Sequence, residues 1–226
     1  MKTPNVDATH ALLAVNKAAS GAIYKGLALA GNGSGHFLYA TDFHHARIDV
    51  FDSAFHQVTL SGSFTDSRLP SGFSPFGIQN ILGDLYVTYA KQDEDAEDDV
   101  AGPGLGFVDV FDANGNLIRR FASRNSLNAP WGLALAPAGF GHFSNTLLVG
   151  NFGDGRISAF DLRTREFRGQ LRTAGHSLVT IEGLWGIAFG NGVLGQPTNT
   201  LFFAAGPGDE EHGLYGRIDV VTGDSD

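Results

Sequence analysis

Four segments of this 226-residue chain repeat one another, and each follows the same plan. A large side chain precedes an anchor glycine, a short apolar strand follows, and a later strand ends near Phe-Asp or its equivalent. The anchor glycines are Gly26, Gly77, Gly132 and Gly186, which sets a period of 51 to 55 residues. Such a period, with several short strands per unit, is typical of a β-propeller. The sequence therefore predicts a single all-β domain over residues 1–226, a β-propeller of about four four-stranded blades, with repeats at about 24–66, 75–123, 130–173 and 184–221.

The fourth repeat lacks a segment for its outermost strand. Its last recognisable strand is Arg217-Ile218-Asp219-Val220-Val221, which matches the third strand of the other repeats. The apolar N-terminal run 10–15 has no other place in the pattern, so we predict that it supplies the missing strand and closes the last blade. Closure would protect a sheet edge that otherwise invites aggregation. A frayed terminal strand is one alternative, and pairing of two chains into a larger assembly is another.

Composition excludes several classes of function. The net charge of -9 would repel a phosphate backbone, so nucleic-acid binding is not expected. The absence of cysteine excludes thiol chemistry and disulfides. The segment from Met1 to His10 is polar and has no signal-peptide core, and no apolar run is long enough to span a bilayer.

Topology predicts which loops meet. If the strands of each repeat are called a to d, the b–c loops of all blades lie on one face of a propeller, together with the d–a loops. Every b–c loop of this chain carries carboxylates, and two carry histidine. The candidate metal ligands on these loops are Asp42, Asp93, Asn151, Asp154 and Asp209, and the candidate catalytic histidines are His44, His45 and His212.

Two interpretations of this acidic face remain open. Hard oxygen ligands favour Ca²⁺ or Mg²⁺ and histidine favours Zn²⁺, so a bound divalent metal is predicted, with Ca²⁺ favoured over Zn²⁺. A metal there could polarise an ester or phosphoryl oxygen and activate water. Alternatively, the acidic run 93–99 is simply a solvated loop, and of the adjacent His44 and His45 only one side chain can face the centre.

The residues that precede the anchor glycines form a second candidate site. They are Lys25, Phe76, Trp131 and Trp185, and they include both tryptophans of the chain. At the starts of the a strands they would surround the mouth of the central channel. Aromatic walls with a few polar groups suit a small-molecule pocket. The competing interpretation is that these rings pack between blades as core.

Several motifs resemble a bacterial family of uncharacterised, often exported proteins, some of which carry a C-terminal sorting tail. The resemblance rests on the motifs Ala40-Thr41-Asp42-Phe43-His44, 130–141 and 151–155, and it extends over about residues 18–220. It implies a propeller and an extracytoplasmic (periplasmic or secreted) location for the parent proteins. Members of that family are usually longer at the N-terminus, so the resemblance also implies that this chain is shortened there.

More loosely, the repeat is similar to calcium-dependent lactonase and phosphotriesterase propellers. Those proteins place Glu, Asn and Asp ligands at the starts of the inner strands, where this chain has Lys25, Phe76, Trp131 and Trp185. A central metal would therefore have to use the b–c loops instead.

Three functions follow as hypotheses. The first is a binding module that presents its acidic and aromatic face to a small-molecule ligand or a protein partner, as a monomer or a homodimer. The alternative is a metal-dependent hydrolase of esters, lactones or phosphotriesters, with Asp42, Asn151 and Asp154 among the ligands and His44, His45 or His212 as general base. The third is an interaction scaffold without a pocket.

Overall fold

The computed structural model describes His10 and residues 12–221, and these residues form four antiparallel sheets with almost no helix. In each sheet the strands are hydrogen-bonded in chain order. This confirms the predicted all-β propeller and its four repeats. The strands of blade 1 are β1 (Tyr24–Gly31), β2 (His36–Asp42), β3 (Arg47–Phe51) and β4 (Gln57–Val58); those of blade 2 are β5 (Phe73–Ile81), β6 (Asp84–Lys91), β7 (Gly106–Phe111) and β8 (Leu117–Ser123); those of blade 3 are β9 (Pro130–Leu135), β10 (Thr146–Asn151), β11 (Ile157–Asp161) and β12 (Phe167–Gln170); and those of blade 4 are β13 (Leu184–Phe189), β14 (Leu201–Ala205) and β15 (Leu214–Ile218).

Blade 4 has three strands rather than four, and the predicted closure by the run 10–15 is wrong for the residues described. Residues 12–17 form no strand, and the side chains of Leu12 and Leu13 are 91% and 77% exposed. The segment that follows them is bound to blade 1, because the Ile23 N–H donates to Asp42 Oδ1 over 3.2 Å. Ala11 and the polar segment 1–9 lie outside the described residues.

The anchor glycines occupy the points where the inner strands of consecutive blades approach each other. Strand β1 packs on β5, β5 on β9, and β9 on β13. A Cβ atom added to Gly26 would lie 2.8 Å from the carbonyl oxygen of Phe76, and one added to Gly132 would lie 2.7 Å from that of Trp185. At Gly77 an added Cβ would collide with the Trp131 carbonyl. At Gly186 the nearest atom is Trp131 Cζ3 at 3.5 Å, an ordinary contact, since no inner strand follows β13 among the described residues.

Hydrophobic cores lie between the blades rather than within them. Tyr39 and Leu85 belong to the core between blades 1 and 2, Val108 and Leu147 to that between blades 2 and 3, and Leu148 and Leu184 to that between blades 3 and 4. Each core is built from alternate residues of the facing strands, as expected for stacked sheets.

The aspartates that end the repeated Phe-Asp motif cap the hairpins between the third and fourth strands. Asp52 Oδ1 accepts backbone hydrogen bonds from Ala54 and His56, both over 2.9 Å. Asp161 accepts in the same way from Thr164 and Arg163. These backbone donors lower the pKa of both carboxyls, the His56 and Thr164 N–H groups having the largest effect. The repeated aspartates are thus turn residues, on the face opposite the b–c loops.

The described residues include no helix with the length and apolarity that a membrane span requires. The two helices that the described residues form, Ala18–Ser20 and Gly141–Phe143, are single 3₁₀ turns.

Candidate functional site

The starts of the four inner strands meet at the centre of the protein and form an aromatic cluster. Trp185 lies at its middle, with its ring centroid 5.4 Å from that of Trp131 and 5.9 Å from that of Phe76. The ring of Phe152 from the third b–c loop lies 4.5 Å from Trp185, and Phe43 from the first b–c loop lies 5.2 Å from Phe76. Aromatic pairs at these separations and tilts attract beyond their area burial. The repeated position before each anchor glycine therefore brings these rings together.

Lys25 completes this cluster with a charge and a carbonyl group. Its Nζ lies 2.7 Å from Asp98 Oδ1 and 5.9 Å from the centre of the Phe43 ring. Its backbone carbonyl accepts a hydrogen bond of 2.9 Å from the Trp131 indole Nε1, which links blade 3 to blade 1 across the centre. All four residues predicted as ligand-binding thus lie together.

Burial divides the members of this cluster. Phe76 and Phe43 are fully buried and serve as core. Trp131 and Trp185 are only partly buried, so part of each indole remains accessible. The pocket interpretation therefore applies to the two tryptophans, which a ligand can contact. The core interpretation applies to Phe76, which a ligand cannot reach.

A cavity of about 380 Å³ lies beside the Trp131 ring. The rings of Phe202 and Tyr215 form a stacked pair on its wall, with centroids 5.8 Å apart and an interplanar angle of 14°. The side chains of Gln79 and Gln196 add amide groups that can donate and accept hydrogen bonds. The remaining wall is formed by the inner and second strands of blade 4, at 186–189 and 203–204.

Sequence reasoning missed Phe202 and Tyr215 as site residues. They point away from the core shared with blade 3, and Tyr215 is 65% exposed. They are accessible because, among the described residues, no further blade packs against this face of blade 4. Successive residues of a strand point to opposite faces, so Phe202 and Phe203 place an aromatic ring on each face of β14. The sequence does not show which of the two faces stays uncovered.

The predicted metal ligand Asp42 is already engaged by cations and N–H donors. It is fully buried, and its Oδ2 lies 2.7 Å from His45 Nδ1 and 3.2 Å from the Arg47 guanidinium. His44 contacts the Ala96 carbonyl through Nδ1 at 3.2 Å, and its ring lies 4.8 Å from that of His45. This first b–c loop therefore combines two predicted catalytic histidines and one predicted ligand, but its carboxylate is neutralised by Arg47.

Asn151 holds the third b–c loop in place. It is fully buried, its Oδ1 accepts from the Asn128 N–H over 3.2 Å, and its Nδ2 donates to the Ser126 carbonyl over 2.8 Å. Asp154 is partly exposed and accepts from the Arg156 N–H over 3.2 Å. Both polar atoms of the Asn151 side chain are thus engaged by neighbouring backbone groups, and Asp154 is engaged through Oδ1.

The remaining predicted residues do not join them. Asp93 accepts the Glu97 N–H over 2.9 Å and caps its own turn. Asp209 and His212 are exposed in the fourth b–c loop. Across His10 and residues 12–221, no three His, Cys, Asp or Glu side chains come together as a metal site. The residues described therefore do not fit a central metal, and metal binding by these loops stays a prediction.

The carboxyl of Asp99, in the second b–c loop, has a shifted titration. Burial raises its pKa to about 6, although the nearby Lys25 acts in the opposite direction. A folded-state pKa above the unfolded value means that the native state takes up a proton first as the pH falls. The free energy of unfolding of the wild type should therefore rise relative to that of Asp99→Asn between about pH 7 and about pH 5. Denaturant unfolding at both pH values tests this prediction, and Asp95→Asn, on the exposed part of the loop, serves as control. If the stability of the wild type and of Asp99→Asn changed with pH in the same way, the prediction would be contradicted.

Comparison with curated proteins finds three uncharacterised relatives from Acanthamoeba polyphaga mimivirus. Two of them are 36% and 38% identical to this chain over 222 and 229 residues, which is 95% of this chain in each case. The chain spans 53% and 57% of the length of these relatives. No protein-family profile matches the chain.

Comparison with solved structures finds propeller-like folds of diverse activity. A gluconolactonase from Xanthomonas campestris superposes with a TM-score of 0.56 at 18% identity, over 88% of this chain and 62% of that one. An exo-β-1,3-galactanase from Phanerochaete chrysosporium superposes with a TM-score of 0.54 at 10% identity, over 88% and 48% of the two chains. At these identities the likeness concerns the fold alone, and one fold hosts many functions.

These comparisons revise the resemblance drawn from the motifs. The relatives found are viral and uncharacterised, so a bacterial family and export have no support. The looser similarity to lactonase propellers holds at the level of the fold.

Proposed function

We propose that this chain is a binding module that holds a small neutral ligand in the cavity beside Trp131. The observation that carries the proposal is the composition of that cavity, which combines the Trp131 ring, the stacked Phe202–Tyr215 pair and two glutamine amides. Its volume of about 380 Å³ lies within the range of small-molecule sites.

The chemistry of the walls favours a sugar-like ring. Flat aromatic rings pack against the apolar face of such a ligand, while its hydroxyl groups can bond to Gln79 and Gln196. Among the described residues that line the cavity there is no Asp, Glu, His, Lys or Arg, and Tyr215 is the one ionisable side chain, so the ligand needs no charge. Binding without turnover is the function that this arrangement supports best.

Tyr215→Ala is expected to weaken binding at least about tenfold, which corresponds to about 1.4 kcal/mol. The ring contributes contact area to the ligand but is 65% exposed in the free protein, so the melting temperature should hardly change. Both tryptophans of the chain lie at the aromatic cluster, so intrinsic fluorescence reports directly on the site during titration with mono- and disaccharides.

Phe55→Ala serves as the matched control for that experiment. Phe55 is 48% exposed in the turn between β3 and β4, away from the cavity, and its loss should leave the titration unchanged. Equal effects of the two substitutions, or saccharides that leave the fluorescence of the wild type unaltered, would reject the proposal.

A second candidate, a metal-dependent hydrolase of esters, lactones or phosphotriesters, is favoured only by the gluconolactonase-like folds. It requires a divalent cation at the b–c loops, where Ca²⁺ is favoured over Zn²⁺. A cation that binds only the native state would stabilise it by about 2.7 kcal/mol at a hundredfold excess over its dissociation constant. If this candidate is correct, a chelator should lower the melting temperature and added Ca²⁺ should restore it. Asp154→Ala should lose that response, and lactone hydrolysis should be lost and restored in the same way. A melting temperature that changes with neither chelator nor metal would eliminate this candidate.

A further inference from the structure

The side chains of His44 and His45 lie against each other in the turn between β2 and β3. A hydrogen bond of 3.3 Å from the Ala46 N–H to the Phe43 carbonyl closes this turn and places the two histidines at its central positions. Their ring centroids are 4.8 Å apart, and the ring planes are perpendicular at 89°. Successive side chains of a strand point to opposite faces, but residues of a turn are free of that alternation. The two adjacent imidazoles can therefore serve one site.

Both imidazole rings are held through the same nitrogen, Nδ1. His45 Nδ1 lies 2.7 Å from Oδ2 of the buried Asp42, and His44 Nδ1 lies 3.2 Å from the carbonyl oxygen of Ala96. A carboxylate and a carbonyl only accept, so each Nδ1 donates, and the lone pair of the neutral imidazole then lies on Nε2. Neither Nε2 has a hydrogen-bond partner within the described part of the chain. Histidines that bind metals are oriented in this way, by a carboxylate or a backbone carbonyl at the other ring nitrogen.

The separation of the two rings suits a shared cation. A bond from zinc to an imidazole nitrogen is about 2.0–2.1 Å long, so two imidazoles that bind one cation at about 90–110° have ring centroids about 4.5–5.3 Å apart. The observed separation of 4.8 Å lies in this range. The two rings also turn their Nε2 edges towards Gly21, where an added Cβ would lie 3.9 Å from His44 Nε2 and 3.9 Å from His45 Cε1, the neighbour of Nε2 in the ring. Glycine contributes no side chain to the space in front of these edges.

The second b–c loop adds negative charge beside the pair. This loop holds His44 through the Ala96 carbonyl. Its carboxylates on either side of Ala96 are Asp93, Glu94, Asp95, Glu97 and Asp98. Among the described residues, Asp98 is the one of these five that forms an ion pair, with Lys25. The loop therefore attracts cations to the histidines, although the imidazole nitrogens are the atoms placed to bind one.

We propose that Nε2 of His44 and Nε2 of His45 together bind one divalent transition-metal cation, with water in its remaining positions. Imidazole suits Zn²⁺, Ni²⁺ and Cu²⁺ rather than the hard Ca²⁺ ion, and Cu²⁺ binds most tightly in this series. Asp42 orients His45 in this arrangement and does not bind the cation, since Arg47 already pairs with it. The site lies on blade 1 and is independent of the cavity beside Trp131.

The variants His44→Asn and His45→Asn test the assignment. An asparagine amide can donate a hydrogen bond where Nδ1 does, but it has no counterpart of Nε2. The intact chain, freed of metal by a chelator, should bind one tight equivalent of Cu²⁺ in a calorimetric titration, and electron spin echo spectroscopy should show two coordinated imidazoles. Each variant should keep the far-UV circular dichroism of the wild type and bind Cu²⁺ at least about tenfold more weakly, the smallest loss expected even for a residue that only supports a ligand.

His56→Asn is the matched control. His56 Nδ1 lies 3.5 Å from Asp52 Oδ2, so this histidine is also paired with a carboxylate, and its side chain is 80% exposed, but none of the described ring contacts places a second imidazole beside it. This variant should bind Cu²⁺ like the wild type. The proposal would be overturned by a wild type that binds Cu²⁺ no more tightly than His44→Asn and His45→Asn, by an equal loss in His56→Asn, or by a spectrum with a single coordinated imidazole.

Discussion

Gly77→Ala should lower the free energy of unfolding by about 1–3 kcal/mol or more, the cost of overpacking a site that cannot relax. The new Cβ would meet the carbonyl oxygen of Trp131, which belongs to the next inner strand and lies between Pro130 and Gly132, both of which pair with β10. Backbone cannot rotate away as a flexible side chain can, so blades 2 and 3 would have to separate. Urea unfolding followed by circular dichroism measures this loss.

Gly186→Ala is the internal control for that prediction, since it makes the same change at the equivalent position of blade 4. Its added Cβ would find an ordinary contact, Trp131 Cζ3 at 3.5 Å. Alanine in place of glycine at a compatible position stabilises by about 0.4–1 kcal/mol through the unfolded chain. We therefore expect opposite signs for the two variants. Similar losses at both positions would mean that the anchor glycines serve something other than the approach of consecutive blades.

Arg120→Met should have an effect of comparable or larger size, about 3–5 kcal/mol, because it leaves two buried carboxylates without their shared cation. The Arg120 guanidinium contacts Asp66 at 2.7 Å and also Asp109, and it stacks over the Phe107 ring at 4.7 Å. Asp66 and Asp109 are 7% and 0% exposed. Asp66 keeps a second cation, Arg68, but Asp109 does not. Thermal and urea unfolding at neutral pH measure the loss.

The pH dependence gives this prediction a second readout. Burial raises the pKa of Asp109 to about 6 even with Arg120 beside it. The native state therefore binds a proton more readily than the unfolded chain, and the cost of the buried charge disappears as the pH falls below the folded pKa. The deficit of Arg120→Met should shrink between about pH 7 and about pH 5. Arg217→Met serves as control, because it removes an exposed ion pair with Asp219 and should lower the free energy of unfolding by no more than about 1 kcal/mol. Equal losses of stability in the two variants would refute the role of burial.

The sequence predicted the blades well because the repeat carries its own physical reasons. Anchor glycines are needed where backbones approach, and the terminal aspartates are needed to cap turns, so both recur in register. The position before each glycine converges on the centre, which placed Lys25, Phe76, Trp131 and Trp185 together correctly.

Other features depend on contacts that no repeat encodes. The run 10–15 looks like a free strand, but local bonds of residues 18–23 hold the chain at blade 1. Counting carboxylates on the b–c loops could not reveal that Arg47 and His45 already pair with Asp42, or that the Asn151 side chain bonds Ser126 and Asn128 in the segment before β9. The cavity wall of Phe202 and Tyr215 follows from which face of blade 4 stays uncovered.

The two indole N–H resonances provide the most direct test of the proposed ligand site. Trp131 Nε1 donates to the Lys25 carbonyl, and its ring forms one wall of the cavity, so a ligand there must change the environment of that proton. In a ¹H–¹⁵N correlation spectrum of the intact chain, we expect a saturable shift of the Trp131 indole peak on titration with a saccharide that binds, and a much weaker response in Tyr215→Ala. Indole peaks that stay fixed at every saccharide concentration, or that shift equally in wild type and Tyr215→Ala, would contradict a ligand site at this cavity.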